Sequence, residues 1–159
     1  MSEETVCSLK GYIEYDKIIK YIEENIGSVI QNNITENKIC KLSDLDIIQY
    51  EGNENKPIIY PKNNDDLIYW RDIAGYLYFL WHGYRYAMFY YYSPITPREG
   101  YDYTNNDPDI IELANTDTTT LKMYASQESV RLLTAIAKYF NGGWIDENDS
   151  DNQDFYKIK

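Results

Sequence analysis

The side chains of this sequence that are able to take part in catalysis are few and scattered. There is one histidine, His82, and there are two cysteines, Cys7 and Cys40. Histidine is the side chain that titrates near neutrality, but catalysis through it needs a nucleophile close by in space. Neither cysteine lies in a known nucleophile context, and no CxxC pair or GxSxG, P-loop, GxGxxG or HExxH motif is present. We therefore predict no catalytic residue, no cofactor and no metal site.

A run of acidic and amide residues from 146 to 154 is the most unusual local composition. Its alternating oxygen ligands suit calcium, but the run lacks the glycine and the distal glutamate of an EF-hand loop. The simplest interpretation is a solvated loop before a C-terminal strand. An alternative is an acidic patch that binds lysines or arginines of another protein. The members of that patch are Asp146, Glu147, Asp149 and Asp151.

A second acidic segment contains Asp102, Asp107 and Asp109. Paired carboxylates serve glycoside hydrolysis in some enzymes, but nothing in this spacing selects that role. Turn formation accounts for Asn, Asp and Pro at such positions. We interpret residues 93–109, which also contain three prolines and a glycine, as a loop.

Aromatic residues make up 16% of the chain, and 18 residues are tyrosine. Tyrosine and tryptophan bury a large area at little entropic cost and are frequent in interface hot spots, although they also build cores. A genome rich in A and T would raise the tyrosine content as well. Not every ring fits into an interior if the sheet has a solvent face, so we expect an exposed aromatic patch. The predicted partner-binding aromatic residues are Trp81, Tyr84 and Tyr86.

Most of these rings lie in two segments, 73–81 and 84–92, on either side of His82-Gly83. Their composition favours strands, and a two-residue loop ending in glycine predicts a tight hairpin. Trp81 then lies opposite Tyr84. Because both faces of the hairpin are largely apolar, it is expected at the centre of a sheet. Either both faces are covered, or one is covered and the other is exposed at a binding surface. The alternative structure is a buried helix from residue 66 to residue 81.

The remaining elements follow from hydrophobic periodicity. Two principal helices are predicted at about 16–30 and 127–140, the first capped by Asp16 and the second by Ser126. Gly27 weakens the last part of the first helix, so an earlier end at Gly27 is the alternative. Strands are predicted at 8–15, 118–125 and 155–158 and from Trp144, with weaker ones at 46–50, 57–60 and 110–113. Strands and helices do not alternate regularly. The predicted fold is therefore a single α+β domain over 1–159, with a mainly antiparallel sheet around a central aromatic hairpin at about 73–92.

The formal net charge of −11 narrows the classes of partner. It repels phosphate backbones and anionic membranes, so nucleic-acid and membrane binding are disfavoured. It attracts a basic protein and speeds the encounter, although acidity also simply supports solubility. No secretory signal precedes the first predicted strand, so the expected location is the cytoplasm.

These features favour a non-enzymatic, acidic protein-binding domain that docks a basic partner. Small acidic immunity proteins, which inhibit a cognate toxin, have this kind of composition, and the similarity is one of composition alone. One alternative is a small enzyme or ligand-binding protein whose pocket is lined by tyrosines and arginines. Another is a structural homodimer that buries the aromatic face on itself.

Overall fold

A computed structural model of the chain describes residues 3–39, 70–92, 107–114, 116–148 and 153–159. Within these ranges lie seven strands and three helices. In chain order they are β1 Glu4–Lys10, α1 Tyr15–Asn25, β2 Val29–Ile39, β3 Trp70–Trp81, β4 Tyr84–Tyr92, α2 Pro108–Ala114, β5 Thr118–Tyr124, α3 Gln127–Tyr139, β6 Gly143–Asn148 and β7 Gln153–Ile158.

The strands form one sheet in the order β2-β3-β4-β5-β1-β6-β7, and every neighbouring pair is antiparallel. The N-terminal strand β1 lies inside the sheet, between β5 and β6. The predicted α+β fold with an antiparallel sheet and an aromatic hairpin is confirmed. None of the described helices is long and apolar enough to cross a membrane.

One face of the sheet carries the hydrophobic core, and we call it the helix face. The register aligns Tyr90, Leu121, Cys7 and Ile145 in one row across four strands, and all four are fully buried. Helix α1 contributes Ile18 and Ile22 to this core, and helix α3 contributes Leu132, Leu133 and Ile136. The Cys7 thiol donates to the Leu133 carbonyl oxygen at 3.8 Å, which places α3 directly over β1.

Side chains alternate along each strand, so the intervening residues form the opposite face, which we call the second face. Helix α2 lies over one end of it. There Glu112 of α2 pairs with Lys157 at 2.7 Å and with Lys10 at 3.6 Å, and Lys157 is in register with Trp144. Trp144 and Leu113 are fully buried at this end, and neither belongs to the main core cluster.

The predicted hairpin is confirmed with its register. Trp81 pairs with Tyr84, and the two residues between them, His82 and Gly83, both have positive φ, at 52° and 80°. Positive φ at both central positions is the property of the type I′ turn, whose twist matches that of the strands. The alternative of a helix is wrong for residues 70–81, which form β3.

The predicted helix at 16–30 is too long, because α1 ends at Asn25 and Val29 begins β2. Contact with the hairpin explains the difference. A Cβ on Gly27 would lie 1.8 Å from the carbonyl oxygen of Leu80, and the Leu80 N–H donates to the Ser28 carbonyl at 2.9 Å. The chain therefore leaves the helix in order to pair with β3. At the N-terminus of α1, the N-cap residue is Glu14, so the prediction of Asp16 as the cap is wrong.

Three other predictions need correction. The strand predicted at 110–113 is part of helix α2, whose first turn is closed by a hydrogen bond from the Asp109 N–H to the Asp107 carboxylate at 2.9 Å. The strand predicted at 8–15 is β1, which ends before Gly11, a residue with φ of 78°. The acidic run is not one loop, because its first residues lie in β6 and its last in β7.

The remaining elements follow the prediction. Helix α3 matches the predicted helix at 127–140, and the Ser126 hydroxyl accepts from the Ser129 N–H at 3.1 Å as an N-cap. Strands β5, β6 and β7 match the predicted strands in their regions of the chain. The strands predicted at 46–50 and 57–60 lie outside the described residues, as does residue range 93–106 of the predicted loop.

A substitution at Gly75 tests the close pairing of β2 with β3. A Cβ at this position would lie 2.6 Å from the carbonyl oxygen of Asn33, which is backbone and cannot move without disturbing β2. We expect Gly75→Ala to lower the free energy of unfolding by about 1–3 kcal/mol, as overpacking does. Urea denaturation measures it. The control is Thr35→Ala on the same strand pair, where the side chain is exposed. Equal stability of Gly75→Ala and the unsubstituted protein would contradict this packing.

Candidate functional site

Four aromatic side chains lie together on the second face of β3 and β4. They are Tyr76, Tyr78, Phe89 and Tyr91, and we call them the aromatic strip. Each ring contacts the next. The centroids of Tyr76 and Phe89 are 4.9 Å apart, those of Tyr76 and Tyr78 are 6.4 Å apart, and those of Phe89 and Tyr91 are 6.4 Å apart with planes inclined by 9°. Tyr76 is 50% exposed, and the other three rings are partly exposed.

The strip continues toward the hairpin turn with exposed residues on the same face. These are Leu80, Arg85 and Ala87. The guanidinium carbon of Arg85 lies 4.6 Å from the centroid of the Tyr78 ring, which is the geometry of a cation–π contact. Arg85 therefore stacks on a ring of the strip. The strip offers apolar contact area together with π-faces that attract cations.

Side chains on the helix face of the same two strands anchor the strip. Leu77, Met88 and Tyr90 alternate with the strip residues and are fully buried on the helix face. The Tyr90 hydroxyl donates to the Ile13 carbonyl oxygen at 2.6 Å. Tyr15 packs edge-on against the Tyr90 ring at 5.0 Å, and its hydroxyl donates to the carbonyl oxygen of Tyr76 at 3.1 Å. The backbone that carries the central strip residue is thus anchored to α1.

The predicted aromatic site residues lie at the end of the hairpin, on the helix face instead of the second face. Tyr84 is 70% exposed. Trp81 and Tyr86 contact each other at 5.4 Å and pack against the core, so both are partly buried. His82 stacks on the Trp81 ring at 5.4 Å. The three predicted residues are neighbours, but two of them also serve as packing residues.

The predicted acidic residues Asp146 and Glu147 are adjacent in β6, so their side chains are on opposite faces. Asp146 is on the second face, in register with Phe155 of β7, and partial desolvation raises the pKa of its carboxyl group. Glu147 is on the helix face. It hydrogen-bonds Tyr156, whose pKa burial and this carboxylate raise to about 12. Asp149 and Asp151 lie outside the described residues.

The structure does not bring Asp146 and Glu147 into one site with the predicted aromatic residues. Strands β5 and β1 separate β4 from β6, which corresponds to three strand spacings, or about 14 Å. Sequence analysis missed the aromatic strip as the exposed set, although the hairpin register already placed its residues on one face. The missing information was which face the helices cover.

The cysteine on β1 is unsuited to nucleophilic chemistry. Cys7 is fully buried, and burial raises the pKa of its thiol, so the reactive thiolate is disfavoured. Cys40 lies outside the described residues. Within the ranges that the structure describes, no three His, Cys, Asp or Glu side chains form a group able to hold a metal ion.

The ion pairs under α2 have a structural role. Hydrogen bonding to Lys157 holds the pKa of the Glu112 carboxyl below its usual range and raises the pKa of Lys157. The ammonium groups of Lys10 and Lys157 lie 5.5 and 6.0 Å from the centroid of the Trp144 ring, and the indole Nε1 has no hydrogen-bond partner. These contacts fix α2 on the second face and leave the aromatic strip uncovered by it.

Over the described residues, the geometry therefore defines an α+β protein with an antiparallel sheet, two helices on one face and an exposed aromatic strip on the other. No protein family, characterised protein or solved structure matches the chain.

Tyr15 provides a pH-dependent test of the anchoring under the strip. Burial raises its pKa from 10.0 to about 12, with a smaller contribution from Asp16. Between pH 10 and about 12 the folded protein therefore keeps the Tyr15 hydroxyl proton, whereas the unfolded chain releases it. The contribution of this hydroxyl to the free energy of unfolding is complete below pH 10 and is lost as the pH rises through about 12.

We expect Tyr15→Phe to make the decline in unfolding free energy between pH 10 and 12 shallower. At neutral pH the variant is less stable by about 1 kcal/mol, because the hydrogen bond to the Tyr76 carbonyl is lost. Guanidinium denaturation across the pH range measures both effects. Tyr84→Phe, at an exposed side chain, is the control. An unchanged pH slope in Tyr15→Phe would show that Tyr15 is not buried as described.

Proposed function

We propose that this chain is a non-enzymatic protein-binding domain that binds a basic protein through the aromatic strip. The observation that carries the proposal is the exposure of a continuous row of rings on the second face of β3 and β4. Exposed apolar patches with this composition are typical of interaction sites. Tyrosine is enriched among the residues that contribute most to binding energy.

The charge of the chain favours a basic partner. A net charge of −11 attracts cationic proteins at long range and accelerates their association. At short range, the partner's arginines and lysines would stack on the strip as Arg85 already stacks on Tyr78. The same charge opposes the approach of nucleic acid, although base stacking on exposed rings is otherwise a common use of such a face.

The acidic residues of β6 support recognition from a distance. Asp146 lies on the second face, in the same row across the sheet as Phe89 of the strip. The row runs from β4 to β6 through three neighbouring pairs, which are Phe89 with Lys122, Lys122 with Val6, and Val6 with Asp146. A partner wide enough to cover β4 through β6 would contact both. The proposal includes Asp149 and Asp151 as further sources of attraction. An inhibitory role toward a basic protein in the cytoplasm of the same cell would use these properties.

A matched pair of variants tests the proposal. Tyr76 of the strip is 50% exposed and Tyr139 on α3 is 64% exposed, so replacing either one by serine removes a ring of similar exposure. The bound protein is first captured from a lysate of the source cell and purified. Its affinity is then measured by calorimetry. We expect Tyr76→Ser to weaken binding at least about tenfold, as hot-spot truncation does. Tyr139→Ser leaves binding unchanged.

Salt dependence completes the test. The affinity of the unsubstituted chain for a basic partner should fall as salt rises from about 0.05 to 0.5 M, because screening weakens the attraction. Urea denaturation confirms that both variants remain folded. Equal affinities of Tyr76→Ser and Tyr139→Ser would contradict the proposed site. A captured partner that is acidic, or that is a nucleic acid, would contradict the proposed partner class.

A further inference from the structure

Strand β2 lies at one edge of the sheet that the described strands form. It pairs with β3 from Val29 to Ile39, and no described strand pairs with its other edge. The outer edge of such a strand presents N–H and C=O groups that can hydrogen-bond another strand. All side chains from residue 30 to residue 36 are exposed. Edge strands of this length are usually protected against pairing, because an unprotected edge promotes association.

Two of the usual protective features, charge and proline, are missing from most of β2, and its one register shift in the pairing with β3 lies at the start of the strand, between Val29 and Gln31. From Val29 to Thr35 there is no proline and no charged residue, and Glu36 is the first charge. Ile30 and Ile34 are each 47% exposed, which is unusual for isoleucine on a solvated strand. An uncharged strand with exposed isoleucines has no feature that selects a basic protein. Its chemistry instead matches a strand like itself.

We propose that the outer edge of β2 binds the same edge of a second copy of this chain. The two strands pair antiparallel about a twofold axis that passes through the sheet at Ile34. A twofold axis perpendicular to the sheet keeps side chains on their own faces, so Ile34 lies opposite the partner subunit's Ile34. Asn33 then lies opposite the partner subunit's Thr35, and Asn32 lies opposite the partner subunit's Glu36.

The charges select this register over a neighbouring one. With the axis at Ile34, no two like charges within 29–36 face each other across the pair. A shift of the axis to Glu36 would place two carboxylates directly opposite each other, which is destabilising. The isoleucine pair at the axis adds an apolar cross-strand contact to the main-chain hydrogen bonds.

This association and the binding of a basic protein depend on salt in opposite directions. Two copies that each carry −11 repel each other, and salt screens that repulsion. Dimerisation should therefore increase with ionic strength. The sheet is extended at its edge, so the aromatic strip on β3 and β4 stays accessible. The inference does not rest on the proposed function, and the dimer would carry two strips.

Analytical ultracentrifugation of the full chain tests the inference. Between about 1 µM and 1 mM protein, we expect a dimer whose fraction rises with concentration and with salt from about 0.05 to 0.5 M. Ile34→Lys should lower the association constant of the dimer at least about tenfold, because it places two ammonium groups opposite each other. The matched control is Ile111→Lys on α2, where the isoleucine is 45% exposed. Tyr76→Ser should dimerise like the unsubstituted chain, which separates this test from the proposed function.

Cysteine cross-linking locates the axis without relying on a loss of association. In a Cys40→Ser background, we expect Ile34→Cys to form an intermolecular disulfide on mild oxidation, because directly opposed residues have Cα atoms about 4.5–5.5 Å apart. Thr35→Cys should not cross-link, because the two substituted residues are displaced from each other along the strands and their Cα atoms are more than about 7 Å apart. A chain that is monomeric under all conditions, or equal cross-linking at both positions, would overturn the inference.

Discussion

The arrangement of the described residues depends on a mismatch between the width of the sheet and the number of described helices that cover it. The seven described strands span six spacings, about 29 Å, and a helix with its side chains is about 10–12 Å wide. Two helices, α1 and α3, suffice to cover most of one face, and the core lies beneath them. On the other face the described chain places only α2, which has seven residues and a length of about 10 Å. Consequently, none of the helices in the described ranges covers the second face of β3 and β4.

That constraint explains why the aromatic residues of the hairpin have two different roles. Tyr90 and Phe79 face the helices and are fully buried, and Tyr90 also hydrogen-bonds the backbone at Ile13. Tyr76 and Phe89 alternate with them and face away from the helices. The same composition thus builds part of the core and a surface strip. The high tyrosine content suits this arrangement, because a tyrosine at the boundary buries its ring and keeps its hydroxyl hydrated.

The parts of the fold that sequence analysis predicted are those encoded locally. The hairpin follows from strand-forming residues around a dipeptide that adopts positive φ, and α3 follows from its periodicity and the Ser126 cap. Gly27 favours an end of the first helix near it, but the contact with Leu80 that sets the end of α1 is not encoded locally, because the two residues are far apart in sequence. The prediction of a strand in place of α2 is wrong because the apolar residues at 110, 111 and 113 are too few to show a helical period.

The same distinction applies to the candidate site. The hairpin register predicts which rings share a face, but it does not predict which face packs against the core, where Trp81 and Tyr86 lie. The choice between the faces depends on where the helices dock, and an isolated strand pattern does not contain that information. Asp146 and Glu147 are predicted to form one patch in a loop. In the structure they are adjacent in β6, so their side chains lie on opposite faces of the sheet.

The proposed role in recognition requires that the second face of β3 and β4 is open to solvent. Hydroxyl-radical footprinting of the free chain, read residue by residue by mass spectrometry, measures this exposure. We expect fast oxidation of Tyr76, at 50% exposure, and slow oxidation of Tyr90 and Phe79, which are fully buried. Adding the purified partner should protect Tyr76 and leave Tyr139 unchanged. Slow oxidation of Tyr76 in the free chain would show that this face is covered, and no protection of Tyr76 in the complex would show that it lies outside the binding site.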